Sequence, residues 1–315
     1  MSRSNPPYTA DPLSSLSDPM NCNDLVSQAT ALAPRAGYNR TTLPGLRILR
    51  SEAVLEDVPV LYRPGTVFVL QGAKQGFLGG TVYRYDADYY LAVSVPVPFR
   101  MASQADPERP LLALYLEFDL QLAAEIAVAL DAVGGAAPAQ ALSLVSSPMD
   151  PRIHALLGRT LAALADPQEA AILGQGLLRE LHYRVLVGPQ GGALRAALRQ
   201  RGPAGRILES LGRIRQSFTT SLSVPDLATA AGMSVPSYHA HFKQLTGTSP
   251  VRYIKAMRLH EARLMIARNH GSVASVAAKV GYQSASQFSR DFRRHFGRSA
   301  MEEARWMTEH LGEAP

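Results

Sequence analysis

Residues 223–250 read SVPDLATAAGMSVPSYHAHFKQLTGTSP, and residues 272–299 read SVASVAAKVGYQSASQFSRDFRRHFGRS. Side by side they are one pattern written twice. Val224, Ala228 and Gly232 recur 49 positions on as Val273, Ala277 and Gly281. Tyr238, Phe242, Lys243, Gly247 and Ser249 recur 50 positions on as Phe288, Phe292, Arg293, Gly297 and Ser299. The slip from 49 to 50 puts one extra residue in the second copy's turn. Each copy predicts a short helix with a small Ala on its packing face, then a Gly, then a helix anchored by aromatics. That is the sequence form of a helix-turn-helix, where Gly permits the reversal and Ala the close crossing. A four-helix repeat with a purely structural purpose is the competing reading at this point.

The helix faces separate the two readings. Tyr238, Phe242 and Leu245 fall at i, i+4 and i+7 and predict a core face. The rest of that helix offers Pro236, Ser237, His239, Ala240 and Lys243 to the outside. In the second copy Phe288, Phe292 and Phe296 point inward, which leaves Ser286, Gln287, Arg290, Arg293 and Arg294 outward. Gln and Arg bond adenine and guanine edges bidentately in a major groove. Lys243, Arg293 and Arg294, a turn further on, are placed for phosphates, which position without reading sequence.

Between the copies a long helix is expected from Pro250 to about Arg268, with Pro in the first turn where helices accept it. Nineteen residues at ~1.5 Å each span roughly 28 Å. One turn of B-DNA is ~34 Å, so both reading helices can enter successive major grooves on one face. Charge agrees. Residues 1–204 hold 17 Lys/Arg against 18 Asp/Glu, and residues 205–315 hold 15 against 8. A neutral front and a back of net +7 point the back toward a polyanion, double-stranded DNA.

Upstream, β-favouring stretches (VPVLY, TVFVLQ, GFL, TVYRY, YYLAVSV, LLALYLEF) alternate with turn signals between Val58 and Phe118. Gly79-Gly80 predicts a two-residue hairpin, and Arg63-Pro64-Gly65 and Asp86-Ala87-Asp88 further turns. Six or seven strands at this spacing predict a small barrel or sandwich. Helices are expected at 119–133, about 151–165 and 168–187, and a short one in ALRAALRQR. Gly188-Pro189-Gln190-Gly191-Gly192 and Gly202-Pro203-Ala204-Gly205 read as breaks. The expected organisation is an α+β chain: a flexible segment 1–40, a barrel unit with following helices over 41–190, a linker 191–205, and an all-α unit over 206–315. A lone Cys22 excludes an internal disulfide and suits a reducing compartment. The polar, proline-broken N-terminus has no signal-peptide core, and no apolar run reaches 18 residues; a cytoplasmic location with no membrane span is expected.

The segments GMSVPSYHAHFKQLTGTSPVRYIKAMRLHEARLMI and SVASVAAKVGYQSASQFSRDFRRHFG together resemble the DNA-binding domain of the AraC/XylS family of bacterial regulators. The likeness covers nearly all of 206–300. The run PVLYRPGTVFVLQGAKQGFLGGTVYRYDADYYLAVSVPVP is similar to a cupin-like domain that precedes it in one subgroup. The resemblance implies transcription regulation, a ligand-sensing or dimerising N-terminal module, a homodimer through it, and contact with RNA polymerase. Two positions depart from the family: Ala240 stands where Arg or His is common, and Ala300 where Pro is usual. The first implies weaker base reading by the first copy, the second an altered start to the last helix.

A cupin barrel can be a metal enzyme, but all eight histidines lie at 154 or later, which rules out a His-rich metal centre in the barrel. GxSxG, HExxH, GxGxxG and a phosphate-binding GxxxxGK[ST] loop are absent from the sequence. No catalytic residue, cofactor or enzyme activity is expected. Tyr62, Gln71, Lys74, Tyr83, Tyr85 and Tyr90, together with Arg84 and Tyr89, are the barrel residues from which a small-molecule pocket could be lined. Three readings stay open: a regulator that senses a small molecule in its barrel, an interaction protein without an effector, and a cupin-type enzyme on a nucleic-acid anchor, against which the missing histidines weigh.

Overall fold

The structure, a computed structural model, describes residues 22–105, 107–134, 141–198 and 202–310. Ten strands form one antiparallel sheet: β1 (Gly37–Arg40), β2 (Leu46–Ser51), β3 (Leu55–Tyr62), β4 (Gly65–Gln71), β5 (Ala73–Leu78), β6 (Thr81–Asp86), β7 (Tyr89–Val93), β8 (Val97–Gln104), β9 (Leu111–Glu117) and β10 (Leu144–Pro148). Their order is β1-β2-β9-β4-β7-β6-β5-β8-β3, with β10 added on β7. Six of them, β3 to β7 and β9, fall on the stretches expected between 58 and 118; β8, over Val97–Gln104, is not among those stretches and brings the count there to seven. The path ends at β1 and β3, which do not pair among the described residues, so the sheet curls into a half-barrel without closing. Gly79 and Gly80 form the β5–β6 hairpin, with φ of 61° and 87°. Those signs are what a tight two-residue turn demands of both central residues.

The central strands are apolar on both faces because both faces are covered. On β9, Leu111, Ala113 and Tyr115 enter the concave core while Leu112, Leu114 and Leu116 enter the convex one. On β4, Val67 and Val69 go one way, Phe68 and Leu70 the other. The convex face is covered by α1 (Cys22–Leu32), α2 (Leu120–Gly134), α3 (Pro151–Ala165), α4 (Pro167–Val187) and α5 (Gly191–Leu198). The stretch expected to be flexible therefore carries α1 and β1: Leu25, Ala29 and Ala33 bury their side chains in this core, an amphipathic pattern too short to stand out in the sequence. Residues 1–21 lie outside the described set.

The remaining helices are α6 (Gly202–Ser217), α7 (Val224–Ala230), α8 (Val235–Thr246), α9 (Pro250–Ala267), α10 (Val273–Lys279), α11 (Ala285–Phe296) and α12 (Ala300–His310). The predicted break at 202–205 is instead the start of α6, because Gly202, at φ 65°, makes the turn into it and Pro203 fits its first turn. The concave core of the half-barrel is continuous with these helices. Ile207, Leu211, Ile214, Tyr253, Met257 and Met307 share one apolar cluster with Val60, Tyr62 and Met101. Tyr253 donates its hydroxyl to the Pro96 carbonyl at 2.9 Å, and Arg263 donates to the Pro59 carbonyl at 3.2 Å. The sheet and the helical repeat thus close a single interior between them. No described helix is long and apolar enough to cross a membrane.

Candidate DNA interface and effector cavity

The repeat folds as two matching units. In the first, α7 and α8 are separated by residues 231–234; in the second, α10 and α11 are separated by 280–284, one residue longer. Ser223, Ser234, Ser272 and Ser284 cap the four helices through side-chain oxygens that accept backbone N–H bonds from the third residue on. Gly247 and Gly297 end α8 and α11 in the left-handed conformation. Gly232 and Gly281 turn at φ of 61° and 87°. The two turns differ in their surroundings. A Cβ on Gly232 would meet nothing, whereas on Gly281 it would lie 2.6 Å from the Thr219 carbonyl oxygen and 3.2 Å from the Arg258 guanidinium.

Tyr238, Phe242 and Leu245 are buried on α8, as are Phe288, Phe292 and Phe296 on α11. On α8, Pro236, Ala240 and Lys243 are exposed, with Ser237 and His239 half-buried. On α11, Ser286, Gln287, Arg290, Arg293 and Arg294 are all exposed. Arg294 differs from its neighbours: it bonds Asp291 at 2.5 Å and lines a hollow that faces Pro59, Pro98 and Arg100 of the sheet. Asp291 also holds Lys255 at 2.7 Å. Arg258, which the sequence pattern did not single out, ties the connection between α6 and α7 to the turn of the second unit. It donates to the carbonyls of Phe218 and Thr220 at 2.7 Å each, and to that of Gly281 at 3.3 Å. A polar residue inside a helical apolar pattern was the only signal it left.

The last helix starts without the proline. Ser299 and Glu302 exchange bonds, backbone N–H to carboxylate at 2.8 Å and backbone N–H to hydroxyl at 3.4 Å. This capping box supplies the start that Pro would otherwise favour. Behind it Glu303, 1% exposed, lies 2.7 Å from Arg263 and 3.0 Å from Arg298, and both guanidiniums lie over Trp306. α12 is pinned to α9 by this pair.

A cavity of about 110 Å³ lies where α9 crosses the concave face of the sheet. Tyr38, Leu49, Leu55, Val60, Tyr62, Lys74, Met101 and Leu111 line it from the sheet. Arg215 of α6, Met257, His260, Glu261 and Leu264 of α9, and Met307 of α12 line it from the helices. Of the expected pocket residues, Tyr62 and Lys74 line it, and Tyr85 lies beside Lys74, whose Nζ is 5.9 Å from its ring centre. The others are elsewhere. Gln71 donates to the Pro110 carbonyl, Tyr83 and Tyr89 lie outside the lining, and the neighbouring Arg84 is tied to Asp86. Tyr90 turns to the convex face, against Phe68 and toward Gly188 at the end of α4. Strand parity explains it: Tyr90 falls one residue out of step with Leu91 and Val93, which face the concave core. Arg215, Met257 and Met307 gave no sequence signal, since the roof of the cavity comes from the far end of the chain. A larger hollow of about 690 Å³ between α2, α6 and α9 shares Pro96, Arg215 and Met257 with it.

Comparison with known proteins is decisive for the family. A model described as the AraC-type transcriptional regulator N-terminus matches residues 42–193, and one described as a helix-turn-helix domain matches 227–305. The chain belongs to the AraC/XylS family. Curated relatives include the HTH-type transcriptional activator RhaS of Yersinia pestis, 28% identical over 95 residues, and that of Escherichia fergusonii, 31% identical over 97. Each match spans about a third of either chain, 30% of this one and 35% of the first relative, 31% and 35% for the second. Among solved structures, unsaturated fatty acid bound ToxT of Vibrio cholerae aligns at a TM-score of 0.58 and 10% identity, over 88% of this chain and 99% of that one. ToxT bound to (E)-4-(8-methylnaphthalen-1-yl)but-3-enoic acid aligns at 0.54 and 9%, over 84% and 100%. At such identities the likeness is one of fold: a curled sheet followed by paired helix-turn-helix units.

Proposed function

We propose that this AraC/XylS family member is a sequence-specific DNA-binding transcription regulator, with α8 and α11 in successive major grooves and a small-molecule effector in the cavity beneath α9. The duplicated helix-turn-helix with an exposed polar face on each second helix carries the first half. Gln287 and Arg290 read bases on α11, while Ala240 leaves α8 with apolar contact and with His239 and Lys243 to hold the groove. Arg293 and Lys243 bind phosphate. Arg294, tied to Asp291, contributes less.

The second half is supported by where the cavity lies. Its roof, α9, is the helix that spaces the two units, so an occupant bears directly on their alignment. The two ToxT structures hold carboxylic acids, which supports an effector site in this fold. Exposed Ile172, Leu173, Tyr183 and Val187 on α4 support a homodimer through the N-terminal half, and contact with RNA polymerase belongs to the same reading. No catalysis is assigned to the chain.

Selection from randomised duplexes with wild type, Arg290→Ala and Ala240→Arg tests the groove assignment. Arg290→Ala is expected to relax preference at one or two base pairs of one half-site, at ~1–3 kcal/mol of discrimination. Ala240→Arg is expected to alter the other half-site. A uniform weakening on all sequences by Arg290→Ala would make Arg290 a phosphate contact and misplace the reading face.

A further inference from the structure

The chain is poor in lysine: of its 32 Lys and Arg residues only four, at 74, 243, 255 and 279, are lysines. Lys243 and Lys279 are exposed on helices, and Lys255 is paired with Asp291. Lys74 is different. It is 1% exposed, on β5 at the sheet end of the cavity, and its Nζ is 3.0 Å from the Tyr62 hydroxyl. The rings of Tyr62 and Tyr85 flank it at 5.8 and 5.9 Å. Among the described residues the partner of the Lys74 amine is the Tyr62 hydroxyl rather than a carboxylate, and the acid of the lining, Glu261, comes from the helical roof. The Tyr85 hydroxyl is buried beside that of Tyr62. An amine and two buried phenols are thus held at the end of a largely apolar cavity.

We propose that Lys74 is a nucleophilic amine that captures a compact apolar aldehyde or ketone as a reversible Schiff base. This rests on the effector reading of the cavity and names the chemical class it takes. A lysine desolvated in an apolar pocket is the kind that attacks carbonyls, because the neutral amine is the nucleophile and burial favours it over the ammonium. Burial does hold the Lys74 amine below its ordinary basicity. The Tyr62 hydroxyl, pushed up to about 12 mainly by burial, stays protonated and can pass a proton. In the reaction the amine nitrogen bonds to the carbonyl carbon and the C=O becomes C–OH, the nitrogen's proton reaching the oxygen by way of Tyr62. The C–O bond then breaks, one water leaves, and a C=N bond to Nζ remains. No oxidant or reductant is consumed. A cavity of about 110 Å³ suits an occupant of a few heavy atoms beyond the carbonyl; an engineered apolar cavity of ~150 Å³ holds benzene.

The experiment treats the full-length protein with butanal and benzaldehyde in cyanoborohydride, then maps adducts by peptide mass spectrometry. Reduction fixes the imine as a secondary amine. Expected is labelling at Lys74 at least tenfold faster than at Lys243 or Lys279, the exposed controls within the same molecule. Lys74→Met, checked for folding by circular dichroism, is expected to lose that adduct alone. Equal or slower labelling of Lys74 in the wild type overturns the proposal without any variant. Stabilisation by butanoate or butan-1-ol with no adduct at Lys74 also overturns it, and leaves the effector cavity standing.

Discussion

Gly281 and Gly232 occupy equivalent turns and share a positive φ, yet they are not equally replaceable. Any L-residue at either position accepts left-handed strain of ~1–3 kcal/mol. At Gly281 the added Cβ also drives into the Thr219 carbonyl and the guanidinium of Arg258, the residue that ties the α6–α7 connection to unit two. Gly281→Val is therefore expected to lower the melting temperature clearly more than Gly232→Val, and to weaken operator binding with it. Melting by far-UV circular dichroism, with DNA titration of both variants, checks this; equal losses would show that the Arg258 contacts carry nothing. Both glycines were legible from the repeat. The difference between them was not, because Thr219 and Arg258 reach the second turn from other elements.

α9 and α11 meet through a pair of imidazoles. His260 and His295 approach Nε2 to Nε2 at 3.3 Å, and both pack on Phe296. Burial first, then neighbouring cations, depresses both: His260 well below its usual range, and His295 to about 4, with Arg100, Arg263 and Lys255 adding to the effect. In the unfolded chain these groups protonate near pH 6.5. Between that pH and about 4 the unfolded state binds more protons than the folded one, so stability rises with pH across the window. The stabilisation is complete above about 6.5 and is lost as pH falls toward 4. Thermal melts from pH 7.5 to 4 are expected to show that fall, and His295→Gln to flatten it; an unchanged slope in the variant would place the acid sensitivity elsewhere. The histidines were visible in the sequence as single residues on two helices. Their pairing depends on how α11 crosses α9.

One apolar core spans the sheet and the helical repeat where the sequence suggested two separate units. Ile207, Leu211, Met257 and Met307 bury against the half-barrel, so a helical fragment cut free of it exposes them. A 202–315 fragment is expected to keep both helix-turn-helix cores, which are internal to it, and to bind DNA with log K falling ~0.9 per phosphate neutralised as log salt rises. It is also expected to self-associate through the bared apolar face. Met257→Gln with Met307→Gln should relieve that association while leaving the DNA affinity of the fragment within about twofold. Analytical ultracentrifugation and gel shifts measure both. A fragment that is monomeric and fully soluble without the substitutions would show that the shared core is not kept in solution.

Local patterns sufficed for much of this protein. The repeat of 49 and 50 residues, the two turn glycines and the aromatic core faces are all set by neighbours within one or two helical turns, and the sequence alone determined them. So did the strand count between 58 and 118, since alternation and turn chemistry are local too. The cavity is different in kind. Tyr38, Lys74, Arg215, Met257 and Met307 are far apart in the chain, and only the laying of α9 and α12 across the concave sheet brings them together. The same closure decided which strand residues face the cavity and which the convex helices. A sheet buried on both faces has no polar side in its sequence to tell them apart.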